Sequence, residues 1–186
     1  MVERVLGPGQ QQHRFTWHDR KAWWQQEQGI LAYLLLAGTV GRAAYRQQAR
    51  ESSAFYNAFF LDHEDGGVYF NVLANGLPYL LGTERYKGSH SMSGYHSFEL
   101  CFLAATYSNL LVTGQPLTLH FRPQPDGFAD RVLRVAPDLL PPGRVRLDGV
   151  TVDGQAYPAF DAEALTVPLP DSAAPVKVEA RLVPAG

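Results

Sequence analysis

The chain changes character at Gly114-Gln115-Pro116, and this change constrains the fold more than any other feature of the sequence. Before this point, apolar residues recur at helical spacing; after it, short alternating runs are interrupted by proline and glycine. Ten of the thirteen prolines lie from Pro123 onward. The sequence therefore predicts a segregated α+β fold with an N-terminal arm (1–18), a helical part (19–115) and a small β-sandwich-like domain (116–186).

Size and composition set the class of protein. The 186 residues are enough for one domain or two small ones, and 46% hydrophobic with 18% charged residues is typical of a globular chain. A net charge of −2 without a lysine or arginine cluster gives no reason to expect a nucleic-acid partner. No apolar run reaches membrane-spanning length and the N-terminus has no apolar signal region, so we expect a soluble, cytoplasmic protein without a membrane partner.

Three helices are expected in the helical part. The first is predicted from Asp19, as N-cap, to Ala37, with Gly38 as the residue that ends it. The second is predicted over 42–61 and the third over 95–112, where Gly114 and Pro116 stop it.

Strands are expected in a hairpin between the second and third helices and throughout the tail. Asn75-Gly76 is typical of a hairpin turn, which predicts pairing of 68–73 with 77–81 within an inserted hairpin (68–81). In the tail, tight turns are predicted at Asp148-Gly149 and Asp153-Gly154. The predicted tail strands are 117–122, 132–135, 144–147, 151–152, 165–169 and 176–182.

His96 and Glu99 stand three residues apart near the start of the third helix, so they project from the same helix face. A carboxylate beside an imidazole can fix its tautomer, and such a histidine can move a proton on a carbon next to a carbonyl. A helix-start histidine that is simply hydrogen-bonded to its neighbour fits the pattern equally well. The sequence leaves both interpretations open.

A second cluster lies at the start of the first helix, where Trp23, Trp24 and Glu27 share one surface. Indole rings stack on sugar rings and a carboxylate orients hydroxyl groups, so the cluster could hold a sugar. A tryptophan pair in a helix also suits a hydrophobic core. The lone Cys101 stands among apolar residues and is expected to be a buried structural thiol.

The sequence gives no indication of a metal or a cofactor. His13 and His18, or His90 and His96, lack ligand spacing, and Asp62–Asp65 lacks the pattern of a calcium loop. Phosphate loops, dinucleotide fingerprints and nucleophile elbows are missing from the sequence as well. We therefore expect a protein that works without either.

Three stretches together resemble the C-terminal half of the N-acylglucosamine 2-epimerase family, which includes the cellobiose 2-epimerases. Lys21-Ala22-Trp23-Trp24-Gln25-Gln26-Glu27 is similar to the family's Lys-x-Trp-Trp-x-Gln-x-Glu helix start, although Glu27 directly follows Gln26. Asp62–Tyr69 is similar to its Asp-then-Gly-Gly hairpin. Lys87-Gly88 followed by Tyr95-His96 is similar to its Lys-Gly…Pro-Tyr-His segment. The resemblance covers about residues 19–113, with Val68, Ser91 and Gly94 departing from it.

The resemblance implies part of an (α/α)6 barrel and an isomerase of carbohydrate metabolism. It implies that the partner is a sugar or sugar derivative, with His96 as one of two histidines that exchange the C2 proton. The implied substrate-binding residues are Trp23, Trp24, Glu27, Tyr69 and Glu99. Three helices form only part of such a barrel, so the β tail, a second copy or a missing N-terminal half is expected to cover the exposed helix faces.

Three interpretations of function follow. The chain is the C-terminal portion of an epimerase-like protein, inactive alone because its second proton-transfer residue is missing. Alternatively, it is a non-catalytic carbohydrate-binding or interaction module derived from that barrel. A decayed or mis-started reading frame would also give such a sequence. Whether the chain is an enzyme therefore stays open at the level of sequence.

Overall fold

The structure is a computed structural model that describes residues 2–4, 14–82, 86–87, 92–136 and 140–185, with side chains described from Arg20 onward. Of the predicted arm, only the backbone of residues 2–4 and 14–18 is described. The side chains of His13, His18, His90 and Ser91 lie outside the described residues, and so does Gly88. The described part contains three α-helices and several small sheets, which confirms the α+β class.

Two compact units divide the chain. The first comprises residues up to 36 together with 42–104, and the second comprises 37–41 together with 105–186. The three-part division derived from the sequence stays a prediction. No helix in the described part of the chain is long and apolar enough to cross a membrane.

The first unit begins with a two-stranded sheet of β1 (Val2–Arg4) and β2 (Arg14–Asp19), followed by β3 (Lys21–Ala22). The helix α1 covers Trp23–Val40 and α2 covers Ala43–Phe59. Then come β4 (Asn71–Val72), which pairs antiparallel with β3, and α3 (Tyr95–Tyr107).

Both ends of α1 differ from the prediction. Residues 21–22 are extended because they pair with β4, and the Trp23 amide then donates to the Phe70 carbonyl at 3.0 Å, so α1 begins at Trp23 rather than after Asp19. At the other end, Gly38 lies inside the helix. Gly41, with φ of +71°, follows the last turn instead.

The predicted hairpin is shorter than expected. Gly76 adopts φ of +88° and its amide donates to the Leu73 carbonyl, so the Asn75-Gly76 turn forms. Only 71–73 pair with 77–79 across it, through the Val72–Pro78 bridge and two backbone hydrogen bonds. Val68 pairs with Leu61 instead, which takes the start of the predicted strand away from the hairpin.

The second unit is mainly β. A π-helical segment (Ser108–Thr113) continues α3 and ends at Gly114, which is left-handed. The strands of this unit are β5 (Leu117–Phe121), β6 (Val132–Arg134), β7 (Val145–Val152), β8 (Gln155–Ala156), β9 (Thr166–Pro168) and β10 (Val178–Pro184). Four of them form an antiparallel sheet in the order β5-β10-β7-β8, and β6 pairs with β9.

One predicted turn in the tail is wrong. Asp148-Gly149 lies inside the continuous strand β7, where the register against β10 shifts between Leu147 and Gly149 and leaves Asp148 as the extra residue of a bulge. The turn at Asp153-Gly154 forms as predicted, with both residues at positive φ. Cys101 is exposed rather than buried, because α3 presents that position to solvent.

Candidate functional site

A hydrophobic cluster in the first unit supports the candidate site. It joins the start of α1 to the end of α2 and to the segment around β4. Its buried members are Trp23, Ile30, Tyr56, Phe60, Phe70 and Val72. Tyr69, one of the implied substrate-binding residues, packs against this cluster and is partly buried.

His96 lies against the first turn of α1. Its ring stacks on the Trp24 ring, with centroids 6.1 Å apart and planes 28° apart, and meets Trp23 edge-on at 6.2 Å. Trp23 is 3% exposed, whereas Trp24 is 40% exposed. The two adjacent tryptophans therefore differ: Trp23 belongs to the core, and Trp24 presents part of its ring to solvent beside the imidazole.

Polar contacts hold one edge of the imidazole. Nδ1 of His96 lies 3.3 Å from Nε2 of Gln28 and 3.6 Å from Oε2 of Glu99. The Gln28 amide donates to the same Glu99 oxygen at 2.6 Å, and the Tyr95 hydroxyl donates to the other oxygen at 3.3 Å. The predicted pairing of His96 with Glu99 on one helix face is present, with Gln28 inserted as a third member.

Gln28 is the residue that the sequence did not single out. It stands four residues after Trp24, so the two side chains share a face of α1. In the helix-start pattern Lys-x-Trp-Trp-x-Gln-x-Glu, counting from Lys21 puts the final position at 28 rather than 27. This count could have identified Gln28 from the sequence, because position 28 carries an amide where the pattern has a carboxylate.

Glu27 is fully buried beneath the site. Its Oε1 accepts hydrogen bonds from the Tyr56 hydroxyl at 2.5 Å and the Ser97 hydroxyl at 2.7 Å. Among the described residues, neither Oε2 of Glu27 nor Nε1 of Trp23 has a hydrogen-bond partner. Burial, followed by the hydrogen bond to Glu27, raises the pKa of Tyr56 far above its usual value. Through its hydrogen bond with Ser97, Glu27 therefore holds the residue that follows His96 in the chain.

A second polar cluster lies in the loop after α2. Lys87 donates to Asp62 at 2.6 Å and to the Gly66 carbonyl at 2.8 Å, and Asp62 also accepts from the amides of Glu64 and Asp65. The Lys87 hydrogen bond and those amides lower the pKa of Asp62 to about 2. In the described part of the chain, no group of three or more histidine, cysteine or acidic side chains is suited to hold a metal ion.

Solved structures of epimerases are similar to part of the chain. A sugar epimerase from a ruminal bacterium matches at a TM-score of 0.42 and 17% identity, over 47% of this chain and 22% of that one. The cellobiose 2-epimerase from Spirochaeta thermophila matches at 0.43 and 23% identity, over 47% and 21%. That from Bacillus thermoamylovorans matches at 0.40 and 18% identity, over 46% and 22%.

The chain thus spans about a fifth of the length of these structures. All three are named as epimerases, the class of enzyme that the sequence motifs resemble. No protein-family model and no curated protein sequence matches the chain.

Proposed function

We propose that Trp24 and His96 form a sugar-binding site of epimerase or isomerase ancestry, in which His96 serves one side of a proton transfer at C2. The observation that carries the proposal is the stack of the half-exposed Trp24 ring on the His96 ring. An indole face binds the apolar face of a sugar ring, and this position brings the sugar within reach of an imidazole.

The contacts of His96 fit such a role. Gln28 and Glu99 both lie on its Nδ1 edge, so Nε2 on the opposite edge is the nitrogen left for a ligand. The side chain is 28% exposed, which supports access from solvent. Glu27 fixes Ser97, and through it the first turn of α3 that carries His96. In this proposal Glu27 acts as a support and does not touch the sugar.

Epimerisation at C2 needs a second group. One residue removes the proton to give an enediolate, and a residue on the other face returns it to give the opposite configuration. Among the described residues, no second histidine contacts His96. We therefore propose that the chain binds sugar but does not epimerise it alone, and that the helices descend from an (α/α)6 barrel whose other half supplied the partner.

The competing function is a carbohydrate-binding module without any proton transfer. The exposed ring of Trp24 favours it, since stacking alone accounts for sugar binding. The two functions differ at His96: replacing it by alanine leaves the affinity of a pure binding module within about twofold, whereas a site built around the imidazole loses the ligand.

The experiment combines binding with isotope exchange. Cellobiose, which names two of the matched structures, and glucose are titrated calorimetrically into the wild-type chain, Trp24→Ala and His96→Ala. Phe98→Ala is the control, because Phe98 is 78% exposed on the same helix as His96. We expect binding by the wild type and the control, and at least a tenfold loss in Trp24→Ala.

Incubation of the same sugars in D2O tests the chemistry. We expect no deuterium-labelled C2 epimer from the chain alone, because among the described residues no second histidine contacts His96 to return the proton on the other face. Formation of the deuterium-labelled C2 epimer by the purified wild-type chain would contradict the proposed incompleteness. Equal binding by Trp24→Ala and the wild type would contradict the proposed site.

A further inference from the structure

The orientation of the Gln28 amide is fixed by Glu99. Nε2 of Gln28 lies 2.6 Å from Oε2 of Glu99, a carboxylate oxygen that can only accept a hydrogen bond. If the amide were turned around, its oxygen would face a second acceptor at that distance, which is repulsive. The NH2 group of Gln28 therefore points towards Glu99 and towards His96.

This orientation determines the role of Nδ1 in His96. The same NH2 group lies 3.3 Å from Nδ1 and has only hydrogens to offer, so Nδ1 must be the acceptor. Glu99 Oε2 lies 3.6 Å from Nδ1, which is too far for a hydrogen bond. In a neutral imidazole with a bare Nδ1, the proton is on Nε2.

We propose that Gln28 is a positioning residue that holds neutral His96 in the tautomer with its proton on Nε2. In this form His96 presents a hydrogen-bond donor to an oxygen of the ligand, a carbonyl or a hydroxyl, and not a base. The identity of the ligand rests on the proposed function, whereas the tautomer depends only on Gln28 and Glu99.

Proton transfer requires the other tautomer. To take a proton at Nε2, the imidazole must carry its own proton on Nδ1; the product is an imidazolium whose Nδ1–H points to Glu99. Returning the Nε2 proton to the substrate carbon restores the starting form. Gln28 and Glu99 therefore have opposite effects at Nδ1. The amide of Gln28 favours a bare Nδ1, with Nε2–H as a hydrogen-bond donor. The carboxylate of Glu99 favours a protonated Nδ1, with Nε2 as the base.

A swap of the two side chains reverses this preference without changing net charge. In the double variant Gln28→Glu/Glu99→Gln, positions 28 and 99 can keep their mutual hydrogen bond, but a carboxylate now faces Nδ1. A carboxylate accepts a hydrogen bond from Nδ1–H and so favours the tautomer that carries its proton on Nδ1, which leaves Nε2 free to act as the base. Gln28→Met removes the donor without adding an acceptor and leaves Glu99 as the polar neighbour.

Side-chain nitrogen NMR of the ¹⁵N-labelled chain reads the tautomer directly, at about pH 9, where imidazoles are neutral. His63 is the internal reference: its Nε2 lies 2.7 Å from the Asn57 carbonyl oxygen, so that nitrogen carries the proton in every variant. We expect wild-type His96 to show a protonated Nε2 and a bare Nδ1. In the double variant we expect His96 to show a protonated Nδ1 and a bare Nε2, while the signals of His63 are unchanged.

A protonated Nδ1 in wild-type His96 would overturn the proposal, as would an unchanged His96 in a folded double variant. If neither variant folds, as judged by the His63 signals, the wild-type spectrum alone decides. The measurement contains no sugar, so it is independent of the proposed function. A chain with the expected tautomer that binds no sugar would refute the function and leave the role of Gln28 in place.

Discussion

The hydroxyl of Tyr56 donates a 2.5 Å hydrogen bond to Oε1 of Glu27, whose side chain is fully buried. Ser97 donates to the same oxygen at 2.7 Å, so one carboxyl oxygen joins α1, α2 and α3 within the first unit. Because Ser97 follows His96 directly, this contact couples the stability of the unit to the position of the imidazole. The polar link sits beneath the candidate site and not in it.

Replacing Tyr56 by phenylalanine tests this link. The variant keeps the ring and removes one of two donors to a buried carboxyl group, so we expect the free energy of unfolding to fall by about 1–3 kcal/mol. Urea denaturation measures the change, and Tyr45→Phe on the same helix is the control. A loss equal to that of the control would show that the hydrogen bond contributes nothing.

The stability at high pH follows from the raised pKa of Tyr56. Burial and the Glu27 hydrogen bond favour the neutral phenol in the folded state, whereas in the unfolded chain the group titrates near 10.0. The contribution is therefore complete below pH 10 and is lost as the pH rises above it. We expect the stability difference between wild type and Tyr56→Phe to shrink from pH 9 to pH 11; a constant difference would be inconsistent with a buried phenol.

The Asp62–Lys87 contact predicts an NMR titration. Lys87 and two backbone amides hold the pKa of Asp62 at about 2, below its usual 3.8. The stability from this ionised carboxylate is present above pH 4 and is lost as the pH falls through 2. In Lys87→Met, we expect the carboxyl ¹³C titration of Asp62 to move towards 3.8. Asp161, which also accepts hydrogen bonds from two backbone amides, is the reference.

Two glycines in α1 give a matched pair of stability predictions. A Cβ at Gly29 meets no atom within 4 Å, so Gly29→Ala gains helix propensity and is expected to stabilise by about 0.5–1 kcal/mol. A Cβ at Gly38 would lie 2.4 Å from Cβ of Leu111, so Gly38→Ala must displace a neighbour and is expected to destabilise. Thermal unfolding of both variants compares the two; the same sign of change in both would contradict this packing.

The elements with strong local signals could be predicted from the sequence. Helical spacing predicted the three helices to within a few residues. The last predicted strand, 176–182, overlaps β10, in which Glu179 and Arg181 are exposed between buried neighbours. The end of the last helix at Gly114 was also predictable, because glycine readily adopts the left-handed conformation. The π-helical segment before it carries no local signal.

What could not be predicted depends on contacts between distant residues. The start of α1 is set by β4, about fifty residues away, and the Asp148-Gly149 dipeptide forms a bulge because β7 pairs on both sides of it. Within the site, the pairing of His96 and Glu99 followed from helix geometry, whereas Gln28 lies 68 residues from His96 in sequence. Cys101 was predicted to be buried from apolar neighbours in sequence, but it is exposed in α3, as is its neighbour Phe102.

The most direct test of a sugar site at Trp24 and His96 is a titration followed by NMR. Cellobiose is added to the ¹⁵N-labelled chain while the side-chain signals of both residues are recorded, with His63 as the reference in the same unit. We predict saturable shifts of the Trp24 indole and His96 imidazole signals, no shift of His63, and loss of the His96 shift in Trp24→Ala. The absence of a saturable shift at His96, or an unchanged shift in Trp24→Ala, would contradict the proposed site.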